Sequence, residues 1–320
     1  MVVDFYADHY ISQVHLKNFY SPKLDNLMYA IRKSDLKAFT PNSESVCRIE
    51  NGSTNSYLRK DRIVEEFLKE IEPKYNASIN KLKTNNIDSS CIYTIAGFVA
   101  YVVTCSPAGI RIGSSMLKGP VEETARILDS QKAFPPVPSV LVDTTTTELI
   151  NSGALQVEIN PKFPQAIGIS QILSYTNSFG NSTWEILLNN FEDNPFFTSD
   201  FPVAIEKSDD NRIINKLVPL SPNLAIRIHP NISLEENQAD NSFSKFKYSI
   251  HKLNRQEVIY INKLIVQCAE DLVFFRDNHE WVTKFVTKNA KYWIEPKTQR
   301  IPHHGGAFLW STQEITERKY

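Results

Sequence analysis

Asn194-Pro195-Phe196-Phe197-Thr198-Ser199-Asp200-Phe201-Pro202 lies at the centre of the stretch, Trp184 to Pro222, whose reading decides the fold. Short apolar runs of strand composition (Trp184-Glu185-Ile186-Leu187-Leu188, Phe196-Phe197-Thr198, Val203-Ala204-Ile205) are separated by Asn, Asp and Pro, which turn the chain. Similar runs follow at 213–218 and 224–229. Such close spacing leaves no room for crossover helices and predicts antiparallel pairing. With a further strand over Phe246 to Leu253, an antiparallel sheet is expected over residues 184–253.

On the N-terminal side the pattern is helical. Ile11, Val14, Leu16 and Phe19 suit a short helix or hook, Leu27 to Ile31 a strand, and the Ser- and Asn-rich Thr40 to Tyr57 a loop. From Asp61, Ile63, Val64, Phe67, Leu68 and Ile71 recur at helical spacing; Pro73 kinks that helix before Ile79 and Leu82. Asp88 can cap a helix through Ile92, Ile95, Ala96, Val99, Val102 and Val103, apolar nearly all round and therefore central to the core. Pro107 is expected to end it. Helices are also expected at Val121 to Leu128, Thr144 to Asn151 and Pro164 to Asn177, with Phe134-Pro135-Pro136-Val137-Pro138 a stiff extended connector.

Beyond the strand block, Asn254 and Glu257 form a capping box, and Val258, Ile261, Leu264, Ile265, Cys268, Leu272 and Phe275 would make one apolar helix face. The tail from Ile294 is punctuated by Pro and Gly. The fold class is α+β, an antiparallel sheet with helices packed on it, in a single globular domain over 1–320: a helical part, 1–177, and a sheet-plus-helix part, 178–320.

Composition narrows the functions. Lys plus Arg (35) nearly cancels Asp plus Glu (36), so no bulk charge draws the chain to nucleic acid or an anionic membrane. Cys47, Cys91, Cys105 and Cys268 include no CxxC pair, which speaks against a zinc ribbon or a dense disulfide framework and for reduced, buried thiols. The longest apolar run, Ile95 to Cys105, is too short to span a bilayer, and Asp4, Asp8 and His9 interrupt any leader-like start. A soluble, cytoplasmic protein is the expectation, without a cofactor.

Three segments in order, His9-Tyr10-(x5)-Leu16-Lys17-Asn18-Phe19, Phe197-Thr198-Ser199-Asp200-x-Pro202 and Val218-Pro219-Leu220-Ser221-Pro222, followed by a helix start at Leu253-Asn254, resemble the microbial family of domain of unknown function 4238. That family typically carries an Arg-Thr-Pro type motif where the central helix ends. Here the corresponding stretch is Thr104-Cys105-Ser106-Pro107, with Arg111 close by. The resemblance implies no activity.

Chemistry is therefore read from residues. His9 could act as general acid or base, with Asp200 as its orienter or a second acid/base, and Lys17 or Arg111 could stabilise an anion. The alternative is that His9 and Tyr10 fasten the N-terminal hook and that Asp200, beside Ser199, holds an Asx-type turn. Glu66 and Glu70 share a helix face without a completing His, which fits a solvated acidic face rather than a metal site. His303-His304 reads as surface loop. Lys284, Lys288 and Lys291, flanked by Trp281, Phe285, Tyr292 and Trp293, could bind single-stranded nucleic acid, though a solvated face above a packed aromatic one reads as well. Gly109-Ile110-Arg111-Ile112-Gly113 lacks the third glycine of a dinucleotide fingerprint. Two functions are consistent with this: a metal-independent hydrolase acting on phosphodiesters, or a non-catalytic binding protein in which the His9 and Asp200 segments are structural.

Overall fold

The computed structural model describes residues 6–135, 144–210, 213–231, 240, 242–304 and 306–318. Its centre is α4 (Ser89–Cys105), a helix with no charged side chain, so that nearly every face can be buried. Asp88 caps it, accepting from the Cys91 amide at 2.8 Å. Around α4 pack α2 (Ile63–Ile71), α3 (Tyr75–Lys83), α5 (Pro107–Ser130), α7 (Lys162–Ser170) and α8 (Ile172–Gly180). A single 3-10 turn containing Pro73 joins α2 to α3, as the sequence predicts.

Pro107 does not leave the chain irregular. It occupies the first turn of α5, where its missing N–H costs nothing, and Ser106 caps that helix by accepting from the Gly109 amide at 3.1 Å. The two helices bend by 62° across this junction. Helix α5 absorbs the expected Val121 to Leu128 helix; α6 (Thr146–Ser152) follows, while 136–143, most of the expected connector, lie outside the described residues.

The strand block forms a five-stranded sheet in the order β10 (Lys247–Lys252), β5 (Thr183–Leu188), β9 (Leu224–His229), β8 (Ile214–Ser221), β7 (Ala204–Lys207). All its pairs are antiparallel except β10 with β5, which is parallel, a departure from the fully antiparallel expectation. Pro219 is tolerated inside β8 because β7 pairs only as far as Leu217 and the ladder to β9 shifts register between Pro219 and Ser221.

A second correction concerns Thr198–Ser199. This short strand, β6, leaves the main sheet and joins β3 (Ala38–Phe39), β2 (Tyr29–Arg32) and β11 (Leu272–Phe275) in the order β3-β2-β11-β6. Leu272 and Phe275 thus belong to a strand, not to the face of α9 (Arg255–Cys268). Arg48–Glu50, inside the expected loop, is a strand, β4, paired with β1 (Ala7–His9). After α10 (Glu280–Asn289), the tail is not irregular either: β12 (Tyr292–His303) and β13 (Gly306–Glu317) make one long antiparallel hairpin. Among the described residues no single helix is long and apolar enough to cross a membrane.

Candidate functional site

Asp200 follows β6 and is fully enclosed. One carboxylate oxygen accepts from the Glu270 amide at 2.9 Å; the other accepts from Asp271 at 2.8 Å and Leu272 at 2.9 Å. On the opposite side of the same turn, the buried Lys33 ammonium donates to the carbonyls of Ala269 at 2.5 Å, Tyr292 at 2.8 Å and Gln267 at 3.4 Å. The end of α9 and the start of β11 are therefore held by an anion on their N–H groups and a cation on their carbonyls. Burial pushes the Asp200 carboxyl up and the Lys33 ammonium down, opposed in Asp200 by the amides and in both by the other's charge. Three donors on one group and three acceptors on the other fit the charged forms of both.

Arg111 meets the same turn. Its guanidinium forms a two-pronged pair with Glu270 at 2.9 and 2.8 Å, donates to Ile294 O at 2.9 Å, and stacks 4.1 Å from the Trp293 ring centre. The structure thus brings Arg111 and Asp200 to opposite sides of residue 270.

His9 is placed elsewhere. Its Nδ1 lies 3.2 Å from the Val46 carbonyl, its own carbonyl accepts from the Tyr101 hydroxyl at 2.5 Å, and burial lowers its pKa. The groups acting on its charge are Arg48, Glu44 and Asp8. Lys17 ends α1 (Gln13–Lys17) with its side chain in solvent.

Two of the three family-like segments do meet, through a different histidine. His15 is wholly buried, with Nδ1 2.8 Å from the Tyr75 hydroxyl, Nε2 2.7 Å from Thr198 Oγ1, and its ring stacked 4.9 Å from Phe98. Burial drives its pKa down to about 3, so the imidazole is neutral. A hydroxyl–imidazole–hydroxyl row has the donors and acceptors of a nucleophile and its base. Sealed from solvent, it also has the form of a lock between α1, α3 and β6.

The remaining candidates are dispersed. Glu66 pairs with Lys60 at 3.4 Å and Glu70 meets the Tyr93 hydroxyl at 3.5 Å. Lys284 and Lys288 are exposed on α10, whereas Lys291 pairs with Glu317 at 2.7 Å. His303 and His304 lie at the tip of the hairpin.

One space none of these residues lines is the chamber between the helical layer and the main sheet. It measures about 380 Å³ and is walled by apolar side chains including Val103, Ile112, Met116, Ile167, Phe179 and Phe201. The Thr104 hydroxyl on its wall is spent on the Ala100 carbonyl at 2.8 Å. Its polar end is Lys216, on β8, whose ammonium meets Gln313 Oε1 at 3.2 Å and is pushed down to about 8 by burial. In sequence Lys216 is an ordinary strand lysine; the only signal was its position between Ile214 and Leu217 in a run bound for the core. Nothing in the sequence juxtaposes β8 with α5, α7 and β13.

Residues 8–279 match the family model described as protein of unknown function (DUF4238). No curated protein and no solved structure matches the chain.

Proposed function

The chain belongs to the DUF4238 family, and on that footing we propose that it is a cytoplasmic, non-catalytic binding protein that holds a small apolar molecule in the interlayer chamber, its His9 and Asp200 segments serving the fold. The observation that carries this reading is the contrast between two places. Asp200 has both oxygens occupied by backbone amides in a closed setting, whereas the chamber offers a volume typical of small-molecule sites and apolar walls. Its mouth includes Met116 and Tyr175, both partly in solvent. The four cysteines are all unpaired and buried, which suits a reducing compartment.

A solvent-sensitive apolar dye titrated into the full chain tests this. Saturable binding that disappears in Ile167→Trp, a change that fills the chamber, is the expected result. Absence of saturable binding sinks the proposal, as does nucleic-acid cleavage by the parent that is lost in folded His9→Ala and Asp200→Asn. The latter result would restore the hydrolase reading.

A further inference from the structure

Lys216 differs from the other inward-facing cations of the described structure in what receives its charge. Arg62 faces Asp8 at 2.8 Å, Arg111 faces Glu270 at 2.8 Å, and Arg227 lies between Glu185 and Glu206. Lys33 has three carbonyls around one ammonium, and the half-buried Lys162 has two, those of Asn51 and Gly52. Lys216 has a single neutral acceptor, the Gln313 side-chain carbonyl, and no carboxylate among the described residues within ion-pair distance. An ammonium carries three donors, and two of them have no protein partner among the described residues. The Gln313 amide nitrogen likewise donates to nothing among the described residues.

These donors line a chamber whose other walls are mainly apolar. Desolvating a cation against apolar walls is unfavourable unless an anion or strong acceptor meets it. The walls also disfavour ligands with several polar groups, such as nucleotides or sugars, because beyond Lys216 and Gln313 the lining offers only the Tyr175 hydroxyl at the mouth and the Thr104 hydroxyl, which is spent on the Ala100 carbonyl. One anionic group at one end and an apolar body along the rest match both features.

Building on the chamber reading, we infer that the ligand is an amphipathic monocarboxylate, its carboxylate held by Lys216 and the Gln313 amide and its chain lying along the Ile112, Ile167 and Phe179 wall. Since a cavity of ~150 Å³ accommodates benzene, about 380 Å³ suits roughly fifteen non-hydrogen atoms by the same scale. Dodecanoate is of that size.

The test is calorimetric titration of the full chain with dodecanoate, below its micelle concentration, and with dodecanol. The parent, Lys216→Met, Lys216→Arg and Ile167→Trp are compared, each first checked for a parent-like thermal transition. One dodecanoate should bind per chain, about tenfold or more tighter than dodecanol. Lys216→Met should bring dodecanoate down to the level of dodecanol, Lys216→Arg should keep most of the preference, and Ile167→Trp should abolish binding of both. Equal binding of the two ligands, or unchanged dodecanoate affinity in Lys216→Met, overturns the carboxylate assignment while leaving the chamber as a binding site. Binding that survives Ile167→Trp, or no binding of either ligand, overturns the carboxylate assignment and the chamber reading together.

Discussion

Asp200 and Lys33 work on the two polar faces of one turn, and neither can be replaced by a neutral isostere without leaving the other exposed to an unmatched environment. Asp200→Asn puts an amide N–H₂, a donor, against backbone N–H groups that in the parent donate to a carboxylate oxygen. The variant should be less stable by about 3 kcal/mol, read as a lowered urea midpoint, while an apolar dye still enters the chamber. His15 gives a pH signature. Its folded pKa is depressed from 6.5 to about 3, so between those values the unfolded chain binds the extra proton and stability falls as pH drops. The slope approaches about 1.4 kcal/mol per pH unit once the unfolded imidazole is charged. His15→Gln should flatten the loss of stability between about pH 6 and pH 5, above the ordinary carboxylate range. An unchanged slope would mean that the buried ring is not the group responsible.

At the scale of elements, the bend between α4 and α5 decides where the chamber lies. Pro107 permits the new helix and Ser106 caps it, but the close approach depends on Gly109: a Cβ there would stand 2.3 Å from the Val103 carbonyl oxygen. Gly109→Ala should destabilise the protein by about 1–3 kcal/mol and weaken chamber binding, since Val103, Gly109 and Ile112 all line it. Denaturant titration with a dye-binding assay checks both effects. The capping box of α9 is a more local device. Asn254→Ala removes the acceptor for the Glu257 amide at 3.0 Å and should cost about 1 kcal/mol without touching the chamber. The caps at Asp88 and Asn254 were legible in the sequence, because a cap is a relation between residues three apart; the Ser106 cap was not read there. The true end of α9 was not. The apolar spacing runs on through Leu272 and Phe275, but the carboxylate of Asp200 binds the amides of 270–272 and turns that segment into β11.

For the molecule as a whole, residue 270 is where its parts are tied. Its carboxylate takes Arg111 from α5, its amide goes to Asp200, and its carbonyl accepts from Arg318 at the end of the hairpin. Arg111 and Arg318 flank the Trp293 ring, at 4.1 and 5.2 Å from its centre. Because the Arg111–Glu270 pair is only partly exposed and two-pronged, a double-mutant cycle with Arg111→Met and Glu270→Gln should return a coupling energy of about 1–3 kcal/mol. A coupling near zero would show that this ion pair adds nothing measurable to the tie. The family match ends at residue 279, before β12 and β13. The hairpin nonetheless supplies Gln313 to the chamber and Arg318 to the tie.

The sequence by itself determined the α+β class, the buried central helix, the strands between 183 and 229, the caps at Asp88 and Asn254, and the family. These follow from local spacing, turn chemistry and the order of short motifs, all of which act over a few residues. Only the tertiary structure decided that Thr198 and Ser199 belong to a second sheet, that His15 rather than His9 joins the two motif segments, and that Asp200 grips a turn some seventy residues away. It alone decided that Lys216 faces an apolar chamber. Each of these is a pairing between distant parts of the chain, selected by which buried polar groups could find partners once the layers closed, and no local pattern encodes that choice.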